Sequence, residues 1–148
     1  MTFAKKGFTL IELLVVIGVL AVLMAGVVAL INPQDKLRAA NDAKVQSDIA
    51  EMATASQAYA ATHDGYYPAN TGNLTTSGDL VSVPTAPSGY AAYVFTSLPA
   101  GCTAGTTCTG VNISGTLQSS KYTGRANWQF MSSEGKTCAK ATLGTACP

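Results

Sequence analysis

From Phe8 to Ile31 the chain is apolar apart from Thr9, two glycines and one carboxylate, Glu12. At 1.5 Å per residue this run makes about 36 Å of helix, enough to cross a hydrocarbon core of about 30 Å. Lys5 and Lys6 precede it, so the positive-inside rule keeps the N-terminus cytoplasmic and sends the C-terminus outward. A cleaved secretory signal is the competing reading, with Val27-Val28-Ala29 as its cleavage site. Against it, the stretch far exceeds the about 7–15 residues of an ordinary signal core, and it contains an acid. A charge in a spanning helix costs about 2.5–3.5 kcal/mol at the bilayer centre and less near an interface. Glu12 therefore marks a functional position, unless it stays hydrated at the interface and needs no partner.

Lys6-Gly7-Phe8-Thr9-Leu10-Ile11-Glu12-Leu13-Leu14-Val15-Val16-Ile17 resembles the N-terminus of type IV prepilins and of type II secretion pseudopilins. The basic leader, the Gly-Phe junction and a glutamate fifth after it all coincide, within about the first 25 residues. The resemblance implies that a prepilin peptidase cuts after Gly7 on the cytoplasmic side and that Phe8 is then N-methylated. It also implies that Glu12 pairs with the N-terminus of a neighbouring subunit and so registers one subunit against the next.

The chemistry of that pairing follows from elementary charge. Cleavage frees an α-amino group whose reference pKa of about 7.7–8.0 leaves it largely cationic at neutral pH, and methylation keeps that capacity. Within one helix the amine of Phe8 and the side chain of Glu12 are i and i+4, close enough to meet. An unpaired buried charge is expensive, so Glu12 penalises wrong registers more than it strengthens the correct one.

Beyond the apolar run, Asn32-Pro33-Gln34-Asp35 reads as a helix restart, with Asn32 as N-cap and Pro33 at the first helical position. Leu37 to Ala61 lacks Pro and Gly; Val45, Ile49, Met52 and Tyr59 fall near one helical face, with Arg38, Lys44, Asp48 and Glu51 elsewhere as a solvated or subunit-facing surface. A kink or break is predicted between about Gly26 and Pro33, because Pro33 donates no N–H and disfavours an α conformation at Asn32. His63-Asp64-Gly65-Tyr66-Tyr67-Pro68 ends the helix, with Gly65 at positive φ. It resembles the Gly-x-Tyr-Pro that closes the long helix of many pilins. Strands are predicted at Tyr90–Ser97, Val111–Leu117, Trp128–Ser133 and Lys136–Ala141, the last two joined by a two-residue turn at Glu134-Gly135. The expected architecture is α+β: a leader at 1–7, a hydrophobic transmembrane helix at 8–31, its amphipathic continuation at 32–61, and a head at 62–148. In the head a small antiparallel sheet covers the apolar face of the helix.

The formal charge of +1 becomes −1 once Lys5 and Lys6 are removed with the leader, before counting termini, which excludes a strongly basic nucleic-acid binder. A local group of Lys121, Arg125, Lys136 and Lys140, interleaved with Tyr122 and Trp128, reads as solvated lysines and arginine rather than a DNA surface. Cys102, Cys108, Cys138 and Cys147 all lie in the exported part, and their even number there argues for two disulfides. Three connectivities are open. The local pairs Cys102–Cys108 and Cys138–Cys147 are favoured, because both short spans turn readily. None of the pairs has the close spacing of a structural zinc site, so no metal and no cofactor are expected. The single histidine, His63, sits at the helix end beside Asp64, where capping or solvation outweighs catalysis, and no catalytic residues are expected. Major pseudopilins resembling this chain often bind calcium near the C-terminus, but here only Glu134 is acidic after Asp79. Asn73-Leu74-Thr75 and Asn112-Ile113-Ser114 match the glycosylation pattern and are read as unmarked loop or strand residues.

The expectation is a non-enzymatic structural subunit, a pilin stored in the cytoplasmic membrane and extracted into a helical surface filament of identical copies. Its implied partners are a prepilin peptidase, an assembly platform with its ATPase, and itself. A secretion pseudopilin and a membrane-anchored DNA- or ligand-binding minor pilin are the alternatives.

Overall fold

The computed structural model describes residues 7–147. Residues 1–6, which hold most of the expected leader with Lys5 and Lys6, and Pro148 lie outside the described residues. The described chain divides into two compact units, one ending at Gln34 and one beginning at Asp35.

The first unit is built on α1, Leu10–Ile31. Its stretch Leu10–Val28 is long and apolar enough to cross a membrane, and none of it is buried in the protein. Gly26, expected inside the break, lies within this continuous helix; the regular structure lapses only at Asn32, with φ +44° and ψ 73°. Proline's steric demand falls on the residue before it, whereas a lone glycine merely weakens a helix. Asn32 is correspondingly the left-handed C-cap of α1, not the extended N-cap expected, a conformation that asparagine tolerates better than most residues. Pro33 opens α2, Pro33–Thr62, as its missing N–H allows.

In the second unit α2 carries the core. Val45, Ile49, Met52 and Tyr59, spaced by three, four or seven residues, are buried against Val111, Ile113 and Phe130 of the sheet and against Leu74, Leu80 and Leu117. α2 ends in a left-handed turn. Asp64 and Gly65 both take positive φ, and the Gly65 N–H donates to the Ala60 carbonyl at 2.9 Å. A short helix that the sequence reading left as loop follows: α3, Thr71–Ser77, where Asn70 and Asn73 cap each other's backbone N–H groups and Leu74 enters the core.

The sheet is an antiparallel meander in sequence order: β1 Val94–Leu98, β2 Gly110–Thr116, β3 Asn127–Met131 and β4 Lys136–Lys140. Gly115 lies where β2 crosses α2; a Cβ there would come within 2.9 Å of both Val45 and Tyr93, so only glycine admits this approach. β1 begins at Val94 rather than Tyr90, because Tyr90 and Tyr93 are tied to α2 carboxylates instead of a neighbouring strand. The β3–β4 connection is four residues, 132–135, not the two expected. The Glu134 and Gly135 N–H groups both donate to the Met131 carbonyl, and Gly135 takes φ +62°.

Both disulfides are local in sequence: Cys102–Cys108 with Cα atoms 5.0 Å apart, and Cys138–Cys147 with Cα atoms 5.9 Å apart. The second holds the C-terminal segment over β3. There the Gln129 amide donates to the Thr145 carbonyl at 2.7 Å and accepts from the Gly144 N–H at 3.0 Å, while Glu134 accepts the Cys147 N–H at 2.8 Å.

Candidate processing and assembly site

Gly7, Phe8 and Glu12 fall together at the start of α1. Gly7 has open space around the position of a Cβ, and Phe8 is 83% exposed, so this junction stands clear of the protein's own packing. Thr9 is the residue that sequence reasoning overlooked. It is the N-cap of α1, with extended backbone (φ −84°, ψ 148°), and its hydroxyl oxygen accepts the Glu12 N–H at 3.3 Å. In return Glu12 Oε2 accepts the Thr9 N–H at 2.9 Å and the Thr9 hydroxyl at 2.7 Å. The signal was present as Thr-x-x-Glu before an apolar run, the sequence pattern of a capping box.

This geometry gives Glu12 two separable properties. Its carboxylate satisfies the Thr9 N–H, which has no intrahelical acceptor, and it sits at the positive end of the helix dipole. The same oxygen is bonded to Thr9, the residue after Phe8, whose amine would be liberated by a cut after Gly7. The carboxylate is thus oriented toward the end of the helix where a new cation would arise.

The second unit has its own polar anchors, all on α2. Asp42 is buried, yet its oxygens accept the Tyr90 hydroxyl at 2.7 Å, the Gln118 and Ser119 N–H groups at 2.9 Å each, and the Ser119 hydroxyl at 2.5 Å. Burial alone pushes its carboxyl up; these donors outweigh that and hold it below the usual aspartate value. Burial and the neighbouring Asp42 carboxylate together push the Tyr90 hydroxyl well up. Asp35 accepts the Ser120 N–H at 2.8 Å and its hydroxyl at 2.7 Å, bonds that likewise lower its carboxyl. Asp48, expected on a solvated or subunit-facing surface, is in fact buried, bonded to the Tyr93 hydroxyl and to Lys44 at 2.5 Å each.

The remaining sequence candidates separate in space. His63 stacks on Tyr59 with ring centroids 3.8 Å apart, and its Nδ1 lies 2.9 Å from the Tyr59 carbonyl oxygen. Lys121 and Arg125 lie in the β2–β3 connection near the first turns of α2, while Lys136 begins β4 at the other end of the sheet from Thr116 and Asn127. Tyr122 meets Trp128 edge-on, at 6.4 Å between ring centroids.

Residues 2–28 match the family described as the prokaryotic N-terminal methylation motif. The chain carries the leader and helix start of type IV pilins and pseudopilins. The likeness covers this N-terminal segment alone. The motif and the apolar α1 together fit membrane anchoring before assembly. No curated protein and no solved structure matches the chain. The second unit is therefore read from its own packing.

Proposed function

We propose that this chain is a structural subunit, the major pilin, of a type IV pilus. In this reading prepilin peptidase cuts after Gly7, Phe8 is N-methylated, and the subunit waits in the cytoplasmic membrane with residues 8–31 as its span. An assembly platform driven by an ATPase then moves it into a helical filament, where α1 leaves lipid for a bundle of identical helices and the head forms the outer surface. The transfer exchanges one apolar surrounding for another, so the hydrophobic effect contributes little to its direction. Glu12 provides the register by meeting the amine of a neighbouring copy.

The observation that carries the proposal is a methylation motif running into an apolar helix with no buried residue in its spanning stretch and one acid in its first turn. The scarcity of carboxylates toward the C-terminus favours a surface pilus over a calcium-binding secretion pseudopilin, since Glu134 already accepts the Cys147 N–H. Shearing intact cells and probing the released filaments for this chain tests the choice. The pilus reading expects the mature chain as the dominant filament protein. Retention of all of it in the envelope, with filaments lacking it, supports the pseudopilin instead.

A further inference from the structure

We propose that, before assembly, a basic surface built on the first turns of α2 and the β2–β3 connection binds anionic phospholipid headgroups. The proposal rests on the reading of α1 as a membrane span. Asp35 is four residues beyond Ile31, so chain connectivity alone keeps it within about 14 Å of the end of α1. The polar headgroup layers add about 5–8 Å on each side of the hydrocarbon, so the first turns of α2 lie within reach of lipid phosphates.

Two segments distant in sequence contribute to this surface. α2 presents Lys36, Leu37 and Arg38, all exposed, directly after Asp35. The β2–β3 connection adds exposed Lys121 and Arg125, and it is held there by Ser120, which donates both its N–H and its hydroxyl to Asp35. Four cations less the Asp35 and Asp42 carboxylates leave a surplus of two positive charges, in a mature chain whose formal net charge is negative. Leu37, 67% exposed between two cations, supplies the apolar element of an interfacial contact. Clusters of this size beside a span are attracted to anionic lipid over roughly a Debye length, and the attraction is screened by salt. The surface would hold the head down while the subunit waits, and release it as the span is withdrawn.

The test reconstitutes the full chain into vesicles of phosphatidylcholine alone, or of an equimolar mixture with phosphatidylglycerol. Lysine acetylation is then followed by mass spectrometry of peptides. Lys36 and Lys121 are expected to acetylate about threefold more slowly in the anionic vesicles, and the difference should vanish at molar salt. Lys136, at the far end of the sheet, should react equally in both. The charge reversals Lys121→Glu and Arg125→Glu together should restore the Lys36 rate. Equal Lys36 and Lys121 rates in the two compositions, or slowing of Lys136 by the same factor, would overturn the proposal while leaving the span intact. Failure of the chain to float with either vesicle would overturn the span reading itself.

Discussion

Along α1, Leu10, Leu13, Val16, Val19 and Leu23 all lie open, whereas on α2 Val45, Ile49 and Met52 are covered by a four-stranded sheet. The two helices adjoin in sequence and are both rich in apolar residues, yet only one is satisfied by its own chain. α2 is amphipathic and finds its cover in β2 and β3. α1 is apolar on every side beyond Glu12 and finds none among the described residues; in the proposed function lipid and then other copies supply it. The difference divides the physics of the molecule: folding is local to the head, and in the proposed pilus assembly falls to the helix.

That division can be broken experimentally. The largest effect is expected from replacing Gly7 with a bulky residue such as valine, which should leave all of the chain as uncleaved precursor on an immunoblot, with the thermal stability of the head unchanged. Normal maturation would show that the junction is not where processing occurs. Next, Glu12→Ala should leave cleavage largely intact but lower the yield of sheared filaments by tenfold or more, as expected where an uncompensated charge had enforced register at about 3–5 kcal/mol. Wild-type yield would remove the role assigned to that carboxylate.

Substitutions in the head should do the reverse. Met52→Ala empties part of the core under the sheet and should cost about 2–5 kcal/mol of head stability, read as a lower Tm, while processing at Gly7 proceeds normally. A smaller loss, about 1–3 kcal/mol, is expected for Asp42→Asn, which cannot accept from Tyr90, Gln118 and Ser119 as the carboxylate does. Because the folded carboxyl lies below its unfolded value of about 3.9, its contribution is complete above that pH and fades as pH falls through the folded value. Thermal melts should therefore show wild-type stability dropping below about pH 4, with a shallower drop in Asp42→Asn. Equal slopes would mean that the Asp42 carboxylate is not bonded as described.

Much of this organisation was legible from residue order alone. The apolar run, the Val45-Ile49-Met52 stripe, the Gly65 stop and four strands each announce themselves through periodicity or turn chemistry, which are local properties. What the sequence concealed depends on contacts between distant segments. Asp48 reads as a surface charge and Asp42 draws no notice, because their partners, Tyr93 and Ser119, lie 45 and 77 residues away. α3 was hidden because Thr71, Gly72 and Thr75 are weak helix formers, and its stability comes from the Asn70–Asn73 cap and the burial of Leu74. At the candidate processing site, Gly7, Phe8 and Glu12 are visible through their likeness to prepilins, while Thr9 is not, although its Thr-x-x-Glu spacing is a local signal.

The central claim is that a cut after Gly7 creates the cation for which Glu12 is placed. Intact-mass measurement of the extracellular material tests it most directly. The expected mass is that of residues 8–148 with one methyl group on Phe8 and four hydrogens lost to the two disulfides. A chain beginning near Leu30 would contradict it, because α1 would then have served only for export and nothing would remain from which to build a filament.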